Sequence, residues 1–169
     1  MNSLLRRLPS AILITGFTAG ILDITAAVIH FVVKTGKEPI IIFKYIASAV
    51  FGSSAFTSPG LLMPPTGVLL HFIVAYLFTI IFFMIRKHFP ATGKYPLVTG
   101  IIYGIAVWAI MNLIIVPMSN APMQPLTIAS AVPAALILIF CIGIPVSLIA
   151  NKHYLYKKNK DTYVTSESK

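Results

Sequence analysis

Residues 10–33 read SAILITGFTAGILDITAAVIHFVV, an apolar run bounded by Arg6 and Arg7 before it and by Lys34 and Lys37 after it. A helix rises about 1.5 Å per residue, so roughly 20 apolar residues cross the hydrocarbon core of a bilayer. The run is long enough to span, and it holds one charge, Asp23. A cleaved signal peptide is the rival reading, because basic residues precede the run and Thr25, Ala26 and Ala27 are small. A signal core is shorter, about 7–15 residues, and an acidic interruption argues against it. The segment is expected to remain as a membrane helix.

Working outward, the same pattern recurs three times. Residues 65–85 form a second apolar run, stopped by Arg86, Lys87 and His88. Residues 96–117 form a third, and residues 125–150 a fourth that contains Pro133 and Pro145 and ends at Asn151, Lys152 and His153. A proline inside a membrane helix kinks it and frees backbone carbonyls that neighbours must satisfy. Composition agrees with the pattern. The chain has 169 residues, 57% hydrophobic and 10% charged, with a mean hydropathy of +0.90. Soluble chains are about a quarter charged, and 169 residues lack the volume to bury so much apolar sequence in one water-surrounded core. The expected architecture is all-α: an antiparallel four-helix membrane bundle in a single domain over residues 1–153, with a polar tail over 154–169. That tail, KKNKDTYVTSESK from residue 157, reads as disordered.

Between the first two runs lies a longer connection. Residues 39–51, PIIIFKYIASAVF, follow Glu38 and precede Gly52, a helix start and stop. This piece is too short to cross, so it is expected to lie at the interface or re-enter. The stretch SSAFTSPGLLMPP that follows reads as a loop over the bundle.

Charge sets orientation and excludes one function class. The formal net charge is +9, but the cations sit in short connections and the tail, where they follow the positive-inside bias and meet anionic lipid. No basic patch interleaved with stacking aromatics accompanies them, so nucleic acid is not an expected partner. Arg6, Arg7, Arg86, Lys87, Lys94 and the tail lysines fall on one side, and Lys34, Lys37 and Lys44 on the other. Both termini are therefore expected in the cytoplasm. No internal repeat of the inverted-transporter kind is evident, and the lone Cys141 excludes an intrachain disulfide.

Two kinds of residue carry functional expectations. Gly16 with Gly20, and Gly100 with Gly104, are G-x-x-x-G pairs that let helix backbones approach, within the bundle or between two copies. Asp23 is the sharper signal, since a carboxylate at that depth costs at least about 2.5 kcal/mol unless neutral, paired or hydrated. Gly16, Gly20, Asp23, Ala27 and His30 recur on one helix face, which places close packing, carboxylate and imidazole on the same side. Depth along the predicted spans puts His30, His71 and Asn112 in one outer layer, with Trp108 one turn from Asn112 and Tyr76 deeper. Asp23, His30, His71, Trp108 and Asn112 are the candidate polar pocket. A structural anchor role for Asp23, hydrogen-bonded to threonine hydroxyls or kinked backbone, is the competing expectation.

Enzyme chemistry finds no foothold. There is no G-x-S-x-G, no H-E-x-x-H, no nucleotide-binding glycine loop and no carboxylate cluster for Mg²⁺ in the sequence. Two histidines without a third strong ligand do not make a zinc site, and on their own give haem little support. No metal and no cofactor is expected. Phe78, Phe82 and Phe83 read as lipid-facing or core-filling, and Tyr95, Tyr154 and Tyr156 as an aromatic belt.

The first span, with GFTAGILDITAAVIH, and the third, with YPLVTGIIYGIAVWAIMNLIIVPMSNAP, resemble the corresponding helices of small uncharacterised bacterial inner-membrane proteins, including the YagU-like group. The shared features are a glycine-paired first helix bearing polar residues and a third helix ending in proline before a short outer turn. The resemblance covers two of the four helices and implies a bacterial cytoplasmic membrane. Two functional expectations stand together. One is a small-solute or proton-linked transport component centred on Asp23. The other is a non-catalytic membrane component that binds lipid, a second copy or another membrane protein, in which the polar residues only fix packing.

Overall fold

The computed structural model describes residues 8–57, 62–123 and 125–167, with side chains as far as Tyr156. Four helices are long and apolar enough to cross a membrane: α1 (Leu8–Thr35), α3 (Met63–His88), α4 (Pro96–Met118) and α5 (Ile128–Tyr156). The short helix α2 (Ile40–Phe51) stands between the first two. No strand occurs among the described residues. The fold is the expected all-α bundle.

On α1 burial goes to the small residues. The buried residues of α1 are Ala11, Thr15, Gly16, Ala19 and Gly20, while Leu13, Phe17, Ile29 and Val33 face outward at 59%, 57%, 59% and 81% exposure. Small residues draw the backbones together, and large apolar side chains meet lipid. That division suits a solvent as apolar as leucine, where close packing rather than hydrophobic burial holds helices together. The buried threonines are satisfied locally: Thr15 donates to the Ala11 oxygen (2.6 Å) and Thr79 to the Ala75 oxygen (2.8 Å).

The helices run antiparallel along the chain. α1 lies against α3 and α5, and α4 packs mainly on α5. Phe78, Phe82 and Phe83 fill the core with Tyr103, Val107, Ile142 and Val146. Tyr103 bridges α4 to α3 by donating to the Phe78 oxygen (2.5 Å), its ring edge-on to Phe82 at 4.8 Å.

Two prolines shape the second half. In α4 the backbone widens to π geometry over Met111–Ile115, and in α5 over Ile139–Gly143. Each widened turn ends two residues before a proline, Pro117 or Pro145. A proline lacks the N–H and its ring crowds the carbonyl one turn back, and a π turn absorbs both faults without breaking the helix. Pro133 is accommodated inside regular helix near the start of α5.

At one end of the bundle α2 forms a cap. It begins after Pro39 and stops at Gly52, whose φ of +60° is a left-handed conformation that glycine adopts without strain. Phe43 backbone presses on Gly67 so closely that a Cβ there would strike the Phe43 carbonyl. Asn120 ties the far end of α2 down, its N–H donating to the Ala49 oxygen (3.0 Å) and its amide to the Val50 oxygen (3.1 Å). The region expected to be a plain loop contains a helical turn, Ser54–Thr57, and residues 58–61 lie outside the described residues. At the other end, helical backbone continues to Glu167, which corrects the expectation of a disordered tail. Extending a formed helix adds a hydrogen bond per residue without paying the nucleation cost again.

Candidate functional site

The residues facing α3 from α1 follow one stripe. A Cβ on Gly16 would run into the Tyr76 ring, and one on Gly20 would stand 2.7 Å from the Phe72 ring. Because these two positions are glycine, α3 comes close enough for Tyr76 to donate to the Leu13 oxygen (3.2 Å) and for His71 to reach the Gly20 oxygen (2.9 Å). Asp23 is the next residue on the stripe. Its Oδ2 lies 3.9 Å from His71 Nδ1, with the two side chains 14% and 11% exposed.

Asp23 also sits where two faces of α1 meet. Ala11, Thr15 and Ala19 recur every fourth residue toward the core, and Asp23 continues that series while also following Gly16 and Gly20. It therefore looks toward α5 as well as α3. Cys141, in the widened turn of α5, lies within electrostatic range of the carboxylate.

The hydrogen bond to Gly20 sets the chemistry of the pair. A carbonyl oxygen only accepts, so His71 Nε2 carries the proton in that bond, and Nδ1 is the nitrogen left toward Asp23. If Nδ1 is bare and Asp23 ionised, the bundle holds an uncompensated negative charge. One added proton, on the carboxylate or on Nδ1, makes the pair neutral overall. At this depth the neutral arrangement is favoured, because an unpaired charge at a helix centre costs about 2.5–3.5 kcal/mol. The arrangement can bind and release one proton.

The five expected pocket residues resolve into two pairs and a separate histidine. Asp23 and His71 form the first pair. Asn112, in the widened turn of α4, donates to the Trp108 oxygen (3.0 Å) and forms the second. Trp108 Nε1 is sealed from solvent without an acceptor among the described residues. No hydrogen bond or ion pair joins the second pair to the first among the described residues. His30 makes no such contact with a described residue.

The expected single layer is corrected for the histidines. His71 is level with Gly20, and His30 stands ten residues further along α1, about 15 Å of helical rise away. His71 stands eight residues after the start of α3 at Met63, yet it meets Gly20, fifteen residues before the end of α1 at Thr35, so the outer ends of α1 and α3 are staggered. The partner of Asp23 is thus His71, and among the described residues no hydrogen bond joins Asp23 to a threonine hydroxyl or to His30.

Glycine packing on the other side of the bundle brings in a residue the sequence reading passed over. Gly100 faces the backbone of Gly143 and Ile144, where a Cβ would stand 2.9 Å from the Gly143 oxygen. Gly104 faces Ile139 backbone, and Gly143 faces Gly100 and Gly104 in return. The third-span pair is therefore occupied within the chain, against α5. Two residues expected to be ordinary carry more than that. Arg86 is buried at the end of α3, and Gly67 admits α2. Neither had a local signal, since Arg86 reads as a stop signal in a basic cluster and Gly67 as one glycine among many.

No group of three or more histidine, cysteine or acidic side chains that could hold a metal occurs among the described residues. Comparison with known family models, curated proteins and solved structures finds no match.

Proposed function

We propose that the chain is a small multi-pass component of a bacterial cytoplasmic membrane, related to the YagU-like group, that acts in small-solute or proton-linked transport. In this reading Asp23 and His71 are the proton-binding centre, and the protein is not an enzyme. Both termini lie in the cytoplasm, because Arg86, Lys87, Lys94 and Lys152 gather at their end of the bundle, against Lys34, Lys37 and Lys44 at the capped end. Lipids are its general partners.

One observation carries the reading: a carboxylate and an imidazole meet across two membrane helices, 3.9 Å apart, with the second imidazole nitrogen held by a main-chain oxygen. Ionisable residues inside spans are expensive, and an inward-facing pair is the usual form of a proton relay. Cys141 of α5 lies within electrostatic range of Asp23.

The test uses protein reconstituted in liposomes with an internal pH dye and an imposed pH gradient. Wild type is expected to carry protons, and Asp23→Asn to insert and fold but lose the flux. Equal flux from folded Asp23→Asn contradicts the reading and leaves the pair a packing element.

A further inference from the structure

The last turn of α3 buries a cation that no anion answers among the described residues. Arg86 is 9% exposed, and its guanidinium lies 5.2 Å over the Tyr154 ring. Nη1 donates to the Pro90 oxygen (3.1 Å) and Nη2 to Asn151 Oδ1 (3.3 Å). Nε is sealed from solvent and has no acceptor among the described residues. A guanidinium offers five N–H donors and stays charged. Two are used here, both on neutral acceptors.

Among the described residues no carboxylate forms an ion pair with it. Asp23 is engaged with His71, and Glu38 precedes α2 at the capped end. Asp161 stands ten residues beyond Asn151 on the same helix, about 15 Å further along, and Glu167 is further still. The charged side chains described nearby, Lys87, Lys94 and Lys152, add only positive charge. Buried charges in proteins are otherwise paired, since an isolated one is strongly destabilising.

The geometry points to a binding site for a phosphate oxyanion at Arg86, formed by the last turn of α3, the 3₁₀ turn Pro90–Gly93 and Asn151–Tyr154 of α5. Several oxygens on one small anion suit the forked donors of a guanidinium. The site lies where α3 ends and α4 begins, the level at which a membrane presents its phosphate head groups, with lysines on either side to draw anions in. The four-residue turn covering it is held by the Thr92 N–H and hydroxyl on the Phe89 oxygen (3.1 and 2.7 Å), the Lys94 N–H on the Ala91 oxygen (3.0 Å) and the Thr99 hydroxyl on the Thr92 oxygen (2.8 Å), and a ligand that reaches Nε displaces this turn. Gly93 has a defined part: the atoms a Cβ there would meet first are those of the guanidinium, so Gly93→Ala displaces the cation.

The test measures thermal stabilisation of delipidated full-length protein in neutral detergent, titrated with phosphatidylglycerol, phosphatidylcholine or inorganic phosphate. Wild type and Lys37→Gln, which removes an exposed charge at the opposite, capped end of the bundle, are expected to be stabilised alike. Arg86→Gln and Gly93→Ala are expected to bind at least about tenfold more weakly. Should Arg86→Gln fail to fold, Gly93→Ala decides. Stabilisation by phosphatidylglycerol but not by inorganic phosphate assigns the site to lipid, and stabilisation by both assigns it to the phosphate group itself. No stabilisation of wild type by either, or equal binding by folded Arg86→Gln and wild type, overturns the proposal.

Discussion

His71 donates from Nε2 to the main-chain oxygen of Gly20 at 2.9 Å, and this bond decides which nitrogen faces Asp23. It exists because position 20 is glycine. With no Cβ in the way, the Phe72 ring lies over the site and α3 approaches until an imidazole reaches α1 backbone. Close packing and the polar pair are consequences of the same sequence feature.

The bond separates two substitutions. In His71→Gln the side-chain amide can still donate to Gly20, while His71→Leu removes both the donor and the partner of Asp23. The leucine variant is expected to lose about 1–2 kcal/mol more stability than the glutamine variant, read from denaturant unfolding in detergent. Equal losses would mean that the Gly20 bond contributes nothing.

The α4–α5 contact is backbone on backbone. Gly104→Ala and Gly143→Ala each force a Cβ against main chain, so each is expected to cost about 1–3 kcal/mol as an overpacking change. Gly16→Ala first meets the Tyr76 ring, a side chain that can turn aside, and is expected to cost less. Thermal unfolding of the three variants checks the order.

Tyr103→Phe keeps the ring edge against Phe82 and deletes the hydroxyl that donates to the Phe78 oxygen. Its expected cost is about 0.5–1.5 kcal/mol. A neutral result would show that α4 and α3 are held together by ring packing alone.

Much of this architecture was legible along the chain, and the reasons are physical. The spans read at residues 65–85 and 96–117 lie inside α3 and α4 because apolar length is a local property. Gly16, Gly20 and Asp23 share a face because helical periodicity is also local. Pairing between helices is not local. The partner of Asp23 depends on the stagger of α1 against α3, and that follows from how α2 folds back onto Gly67. The same gap hid Gly143, which matters only because α5 carries it opposite Gly100 and Gly104. The widened turns before Pro117 and Pro145 were announced by the prolines, but the form of the distortion was not.

The cap should loosen independently of the bundle. Asn120→Ala removes the amide bond to the Val50 oxygen but keeps the backbone bond to Ala49. Hydrogen exchange is expected to quicken over residues 40–57 while α3 and α4 exchange as before. Uniform acceleration along the chain would show instead that the cap is integral to global stability.

Infrared difference spectroscopy of the reconstituted protein across a pH titration tests the shared proton most directly. The account predicts a protonated carboxylic acid band that changes with pH, disappears in Asp23→Asn and shifts in His71→Gln. A band unchanged by Asp23→Asn, or an Asp23 carboxyl insensitive to the loss of His71, would contradict it.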